Sequence, residues 1–138
     1  MNDCLAKEAG AMDNCTRVIG DVKYEEISPE MWQRVETIEG TLYIENTDIE
    51  NLDAINKLTI IGLSTPALVI SNNKKLLDIA ALISVDIRSE EPAIKFEDNT
   101  LVCHNIVERQ TLKEWMARNR ISVKFTGHCC KLIRFLND

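Results

Sequence analysis

The chain has 138 residues and a formal net charge of −6, and 45% of its residues are hydrophobic although only 5% are aromatic. This length suits one domain with its own aliphatic core, and the acidic balance disfavours nucleic acid or an anionic membrane as partner because both need a basic face. No apolar run is long enough to span a membrane, and the charged residues within 1–12 leave no export signal there. The chain is therefore expected to be cytosolic, or else a mature or excised part of a longer precursor.

Near the N-terminus, apolar residues at helical spacing predict a short helix that covers the start of the domain: Leu5, Ala9 and Met12. Residues 15–24 are expected to hold the first strand, with Val22 and Tyr24 facing inward and Gly20 turning the chain just before it. Ser28 and Pro29 then form a good helix start, as N-cap and first-turn residue. This helix is expected to run to about Glu36.

A self-similar block returns every 26 residues, because Leu42 to Asn46 is echoed from Leu68 and again from Ile94. Alternation puts Leu42 and Ile44 inside each predicted strand. A second pattern, apolar at every third position, occurs twice with a spacing of 27 residues. Its members are Ile49, Leu52, Ile55 and Leu58, followed by Leu76, Ile79, Leu82 and Val85. A period of this size predicts a solenoid, in which each repeat buries its apolar face against its neighbours.

The three strands of the block are followed by similar dipeptides: Asn46-Thr47, Asn72-Asn73 and Asp98-Asn99. Asn and Asp tolerate tight turns and bond to nearby backbone, so these turns are expected to stack as a ladder. Beyond the repeats, residues 107–118 predict a helix over the last repeat. Ile121, Val123 and Phe125 alternate as a further strand. We expect one domain over 1–138, with caps at about 1–15 and 104–138.

All five cysteines lie toward the ends of the chain: Cys4, Cys15, Cys103, Cys129 and Cys130. The ends of a solenoid need covering, so the cysteines predict disulfides between Cys4 and Cys15 and between Cys103 and Cys129 or Cys130. Each disulfide that closes such a loop is expected to stabilise the folded state by about 3 kcal/mol. The alternative is a set of buried free thiols in a reducing compartment. One cysteine is left over for an absent segment or a second chain.

Several short motifs follow one another in a fixed order: Ile19-Gly20-Asp21, Ile38-x-Gly40-x-Leu42-x-Ile44, Asn46-Thr47, Leu68-x-Ile70-x-Asn72-Asn73 and Asn99-x-Leu101-x-Cys103. This ordered set resembles a known family, the receptor L domain. The resemblance covers roughly residues 15–130. That module is paired in the ectodomains of insulin- and epidermal-growth-factor-type receptors, and the chain is most similar to divergent nematode L-domain proteins.

The resemblance implies a mainly β fold with short capping helices: a short right-handed parallel β-helix, a leucine-rich-repeat-like solenoid. It also implies an extracellular, secreted or receptor-borne protein-binding module without enzymatic activity or cofactor. The receptors' furin-like region, second L domain and kinase are missing, so membrane attachment would come only through regions outside this chain.

Stacking of the strands would create two outward columns on one sheet, and we predict that they contact a protein or peptide ligand: Lys23, Tyr43, Val69 and Lys95, then Glu25, Glu45, Ser71 and Glu97. Tyr43 beside Val69 would face solvent as an anchor. The alternative is that both merely satisfy strand preference. In the receptors that the chain resembles, the equivalent sheet helps to hold a peptide hormone, so insulin-like or growth-factor-like peptides, or a receptor ectodomain, are the expected partners.

Other functions compete with this interpretation. Two short segments could carry chemistry at the C-terminal cap: Cys103-His104 and His128-Cys129-Cys130. They contain the atoms that bind zinc, but not at the usual spacing of zinc ligands. They also contain a possible catalytic Cys–His pair. Paired carboxylates such as Glu25-Glu26 are expected to be solvated, and the scattered glycines form no phosphate loop. A cytosolic leucine-rich-repeat-like adaptor with reduced cysteines is the main rival. Asn14-Cys15-Thr16 fits the N-glycosylation pattern, which would place a glycan on Asn14 of a secreted chain.

Overall fold

The computed structural model describes residues 3–8, 14–99, 101, 110, 113–117 and 123–126. Strands dominate this part of the chain: β1 (Asp3–Leu5), β2 (Arg17–Ile19), β3 (Val22–Lys23), β4 (Thr37–Glu39), β5 (Leu42–Glu45), β6 (Thr59–Ile61), β7 (Leu68–Ser71), β8 (Asp86–Arg88), β9 (Ile94–Glu97) and β10 (Val123–Thr126). Helical segments are short: α1 (Pro29–Trp32) and the 3-10 turns Ala6–Glu8, Tyr24–Glu26, Asp53–Ile55 and Ala80–Ser84. The protein is therefore mainly β, as expected.

The strands form two five-stranded sheets, and every neighbouring pair is parallel. The first sheet has the order β1-β2-β4-β6-β8, and the second has the order β3-β5-β7-β9-β10. The chain visits the sheets alternately from β2 to β9, so each repeat supplies one strand to each sheet. A connecting segment then returns the chain to the first sheet. This is a solenoid-like arrangement of parallel sheets.

The observed register confirms the 26-residue period. Leu42 pairs with Leu68, and Leu68 pairs with Ile94, so the aliphatic side chains predicted to face inward form one column. All three are essentially buried. On the return segments, Ile49 of the 27-residue pattern is half-buried against the core. The other members are buried: Leu52, Ile55 and Leu58 in one repeat, and Leu76, Ile79, Leu82 and Val85 in the next. The core is thus built from Ile, Leu and Val, in keeping with the low aromatic content.

The polar turns after the strands stack as predicted. Asn46, Asn72 and Asp98 all have left-handed backbone with φ between 56° and 59°, which Asn and Asp tolerate better than most residues. Asn72 Nδ2 donates to Asn46 Oδ1 at 2.7 Å. The residue after each turn reaches inward, and Asn73 and Asn99 are almost fully buried.

The two buried asparagines join neighbouring repeats. Asn73 Nδ2 donates to Ile44 O and to Asn99 Oδ1, both at 2.9 Å. The Thr47 hydroxyl donates to Asn73 Oδ1 at 2.6 Å, and Asn99 Nδ2 donates to Ile70 O at 2.7 Å. Buried amides with this many partners repay their desolvation and fix the spacing of the repeats.

The corner between the two sheets depends on two stacked glycines. Gly20 and Gly40 have φ angles of 114° and 146°, values that residues other than glycine rarely adopt. A Cβ on Gly40 would lie 2.5 Å from Gly20 O. The absence of a side chain therefore lets successive corners approach each other.

The N-terminal prediction is wrong for Leu5, which belongs to β1 rather than to a helix. Ala9 and Met12 lie outside the described residues, so the helix stays a prediction there. β1 extends the first sheet by pairing with β2, and it turns Cys4 toward the core. An open parallel edge on β2 offers unpaired backbone groups, and at Leu5 this hydrogen bonding outweighs the helical spacing.

Two further boundaries differ from expectation. Gly20 turns the chain just before β3, as predicted, but residues 17–19 form a further strand, β2, and Tyr24 begins a 3-10 turn instead of pointing inward at the end of the strand. α1 starts as predicted, because Ser28 Oγ accepts a bond from Met31 N–H at 3.3 Å, but it ends at Trp32 instead of near Glu36. The C-terminal helix is confirmed where described, at 110 and 113–117, with Trp115 buried.

Candidate protein-binding surface

The outward face of the second sheet carries the first predicted column. Lys23 pairs with Tyr43, Tyr43 with Val69, and Val69 with Lys95, so the four residues stand side by side across four strands. The register extends the row to Lys124 of β10, a position that the repeat pattern alone did not reach. Lys23 is exposed, and Tyr43 and Lys95 are half-buried.

Val69 is less accessible than predicted. Only 6% of the residue is exposed, although it does not belong to the main hydrophobic core. The register sets Val69 between Tyr43 and Lys95, whose longer side chains stand on strands about 4.8 Å away on either side. A short side chain between two longer ones is shaded by them. The prediction that Tyr43 and Val69 together face solvent is therefore wrong for Val69.

The second column is confirmed for three of its four members. Glu45 pairs with Ser71, and Ser71 pairs with Glu97. Ser71 is buried between its two acidic neighbours, which are half-buried. Glu25 does not belong to this column, because β3 ends at Lys23 and Glu25 lies in the following 3-10 turn. That turn is closed by the Lys23 backbone N–H, which donates to Glu26 Oε1 at 2.7 Å.

Charges of both signs border the outward face. Lys95 Nζ lies 3.5 Å from Glu97 Oε2, and both side chains are about one-third exposed. An exposed pair of this kind contributes about 0–1 kcal/mol to stability, so it can exchange partners at small cost. Small side chains on β7 therefore lie between longer, partly charged ones on β5 and β9. Glu45, Lys95 and Glu97 thus form a polar rim beside the almost covered Val69 and Ser71.

A separate cleft lies beyond the ends of β3 and β5. It has a volume of about 710 Å³ and is lined by residues of the first turn, α1 and the Asp53–Ile55 turn: Tyr24, Glu25, Ile27, Ser28, Pro29, Trp32, Gln33, Asp53, Ala54 and Asn56. A smaller cleft of about 550 Å³ shares Tyr24 and Glu25 with it and continues along 46–49. Burial raises the pKa of the Tyr24 phenol. No sequence motif predicted this cleft, because its walls come from three segments separated along the chain.

The N-terminal disulfide is present as predicted. Cys4 and Cys15 are bonded across 11 residues, and both are buried. Cys15 immediately follows Asn14, which is exposed, as a glycan acceptor would have to be. Cys103, Cys129 and Cys130 lie outside the described residues, as do His104 and His128. The second disulfide and the zinc and Cys–His alternatives therefore remain predictions.

Within the described parts of the chain, no group of His, Cys, Asp and Glu side chains is arranged to hold a metal ion. The same parts contain no helix with the length and apolarity needed to cross a membrane.

Comparison with known families agrees with the parallel sheets and the stacked turns. The family described as "Receptor L domain" matches residues 14–114, which is more than half of the chain. Ligand-binding modules make up this family, and it is not a family of enzymes. The protein belongs to the receptor L domain family. No curated protein and no solved structure gives a significant match to the chain.

Proposed function

We propose that the protein is a non-enzymatic, extracellular protein-binding module that holds its ligand on the outward face of the second sheet. The observation that carries the proposal is the row formed by Lys23, Tyr43, Val69 and Lys95, which the register aligns across four strands of a rigid sheet. Family membership supports a binding role. The ligands we expect are insulin-like or growth-factor-like peptides, or the ectodomain of a receptor.

The mechanism is surface complementarity on a rigid support. Tyr43 is the anchor, because an aromatic side chain buries a large area and loses little conformational entropy. The rim formed by Glu45, Lys95 and Glu97 orients the partner through charge. Val69 and Ser71 support the longer side chains on either side of them. In this proposal the strands coil as a short right-handed parallel β-helix over a single domain of residues 1–138.

The Cys4–Cys15 disulfide supports an oxidising compartment, because such bonds are rare in cytosolic proteins. It speaks against the rival function, a cytosolic adaptor with all cysteines reduced. We propose that Cys103 pairs with Cys129 or Cys130 at the other cap. The remaining cysteine is then available to a second chain or to a segment outside this one. A glycan on Asn14 would agree with secretion.

The test compares one substitution on each sheet. Immobilised wild-type protein is exposed to insulin and to an epidermal-growth-factor-type peptide, and binding is measured by biolayer interferometry. Tyr43→Ala is expected to lower the affinity for any ligand that the wild-type protein binds at least tenfold. Ile61→Ala is the matched control, since Ile61 is a half-buried apolar residue on the outward side of the first sheet. Equal losses in both variants, or no loss in Tyr43→Ala, would reject the outward face of the second sheet as the binding site.

A further inference from the structure

Two adjoining clefts meet at Tyr24, away from the outward face of the second sheet. Together they run from α1 and the Asp53–Ile55 turn to residues 46–49, with Tyr24 and Glu25 at the junction. The larger cleft, at about 710 Å³, lies within the range of about 300–1,000 Å³ typical of ligand pockets. None of the outward residues Tyr43, Val69 or Lys95 lines either cleft.

One wall of the site is a fixed aromatic pair. The rings of Tyr24 and Trp32 are stacked, with centroids 5.3 Å apart and planes 25° from parallel. Trp32 is 7% exposed, and its Nε1–H donates to Tyr24 O at 3.3 Å. Trp32 thus stacks on the Tyr24 ring and holds it in place. Tyr24 is half-buried against the core, and it lines the cleft beside Pro29 and Ile27.

The charge of the site is of one sign. Glu25, Asp48 and Asp53 line the two clefts, and no Lys or Arg lines either of them where the chain is described. None of the three carboxylates takes part in the ion pairs found among the described residues, which are Arg17–Glu39, Arg88–Asp86 and Lys95–Glu97. An aromatic face beside unpaired carboxylates is complementary to a cation that also carries apolar surface.

We propose that this cleft binds an arginine-bearing peptide segment of a partner protein. The guanidinium would stack on the part of the Tyr24 ring that lines the cleft while Glu25 and Asp53 accept its N–H groups, and the aliphatic stem would lie against Pro29. Arginine suits this arrangement better than lysine, because its planar group stacks on rings and meets carboxylates in a bidentate way. Glu25, which the sequence placed on the outward sheet face, contributes to this site instead.

The experiment follows the Trp32 indole signal in 15N–1H NMR spectra of the whole chain during addition of a blocked glycine–arginine peptide. The comparison peptide carries citrulline in place of arginine, which keeps the shape and removes the charge. The arginine peptide is expected to shift the Trp32 signal, with affinity that falls as salt rises. The citrulline peptide is expected to leave the signal in place. An equal shift from both peptides, or none from the arginine peptide at millimolar concentration, would overturn the proposal.

Matched variants separate the cleft from general charge attraction. Glu25→Gln and Asp53→Asn remove exposed charges without changing the size of the side chain. Each is expected to lower the affinity for the arginine peptide by about two- to fivefold. Glu91→Gln removes an exposed charge that lines neither cleft and is expected to have no effect. A loss in Glu91→Gln equal to that in Glu25→Gln would overturn the proposal as unspecific attraction.

Two further outcomes are decisive. A Trp32 shift that follows protein concentration without peptide would show that a second copy of this chain occupies the cleft, against the proposal. Tyr43→Ala is expected to leave peptide binding unchanged, so failure of the sheet-face proposal and failure of this one are distinguishable.

Discussion

Replacement of Asn73 by alanine tests whether the buried ladder holds the repeats together. The Asn73 side chain makes four hydrogen bonds: Oδ1 accepts from the Thr47 N–H and hydroxyl, and Nδ2 donates to Ile44 O and Asn99 Oδ1. The Thr47 hydroxyl can turn elsewhere, and Asn99 Oδ1 keeps the bond from the Asn73 N–H at 3.1 Å, so the Thr47 N–H and Ile44 O are the two groups that lose this partner without a replacement. At about 1–3 kcal/mol for each buried group left unsatisfied, and with some relief from entering water, Asn73→Ala is expected to lower the free energy of unfolding by about 2–5 kcal/mol.

Urea denaturation followed by circular dichroism measures this loss. With an m-value of about 2 kcal/mol per molar urea, the midpoint should fall by about 2 M. Asn51→Ala is the matched control, because Asn51 is exposed and its Oδ1 accepts one bond, from Asp53 N–H at 3.0 Å. It is expected to cost about 1 kcal/mol or less. The reasoning is refuted if Asn73→Ala costs no more than Asn51→Ala.

Asn73→Asp refines the test by keeping the size of the side chain. The carboxylate turns an acceptor toward Ile44 O and Asn99 Oδ1, where the amide had offered donors. Burial favours the neutral acid and raises the folded-state pKa of this carboxyl above its unfolded value of about 3.9. The variant's deficit is therefore smallest below that unfolded pKa and grows as pH rises through the folded pKa. A deficit that does not change between about pH 4 and pH 7 would contradict this.

Three further outcomes are expected. Gly40→Ala should cost at least about 3 kcal/mol in urea denaturation, because its Cβ would meet Gly20 O at 2.5 Å in backbone that alanine avoids; a loss below about 1 kcal/mol would show that the corners can separate. Cys4→Ser should lower the free energy of unfolding by about 3 kcal/mol, because it frees a loop of 11 residues. In this variant Cys15 no longer has a bond that reductant could break, so reductant should not lower the unfolding midpoint through Cys15. A midpoint equal to that of the wild type would show that the bond adds no stability. Asn14→Gln should remove the mass of a glycan from protein secreted by eukaryotic cells, and intact masses that differ only by the methylene group that the substitution adds would show that the site is unused.

Much of the fold could be predicted because stacking is periodic. Leu42, Leu68 and Ile94 are equivalent residues in sequence and neighbours in space, so a one-dimensional repeat directly gives the register. The turn ladder was predictable for the same reason, since Asn and Asp recur where left-handed backbone recurs. Such local signals need no knowledge of distant contacts.

The candidate sites were predicted less well, because exposure depends on the neighbours of a residue as well as on its own position. Alternation correctly placed Val69 on the outward face, but its accessibility is set by the residues beside it on two other strands. Tyr24 and Glu25 departed from the strand pattern because β3 has only two residues before the chain turns. The cleft that they line combines segments that no short motif connects.

The outward row on the second sheet differs physically from the ladder, and this difference separates binding from folding. Stacking requires inward residues to fit, whereas a partly exposed position such as Tyr43 contributes mainly through cross-strand pairs worth about 0.2–1 kcal/mol. Tyr43→Ala is therefore expected to lower the free energy of unfolding by about 1 kcal/mol or less while it removes the main anchor for a ligand. If urea denaturation shows a loss as large as that of Asn73→Ala, Tyr43 is part of the structural support and the binding face must lie elsewhere.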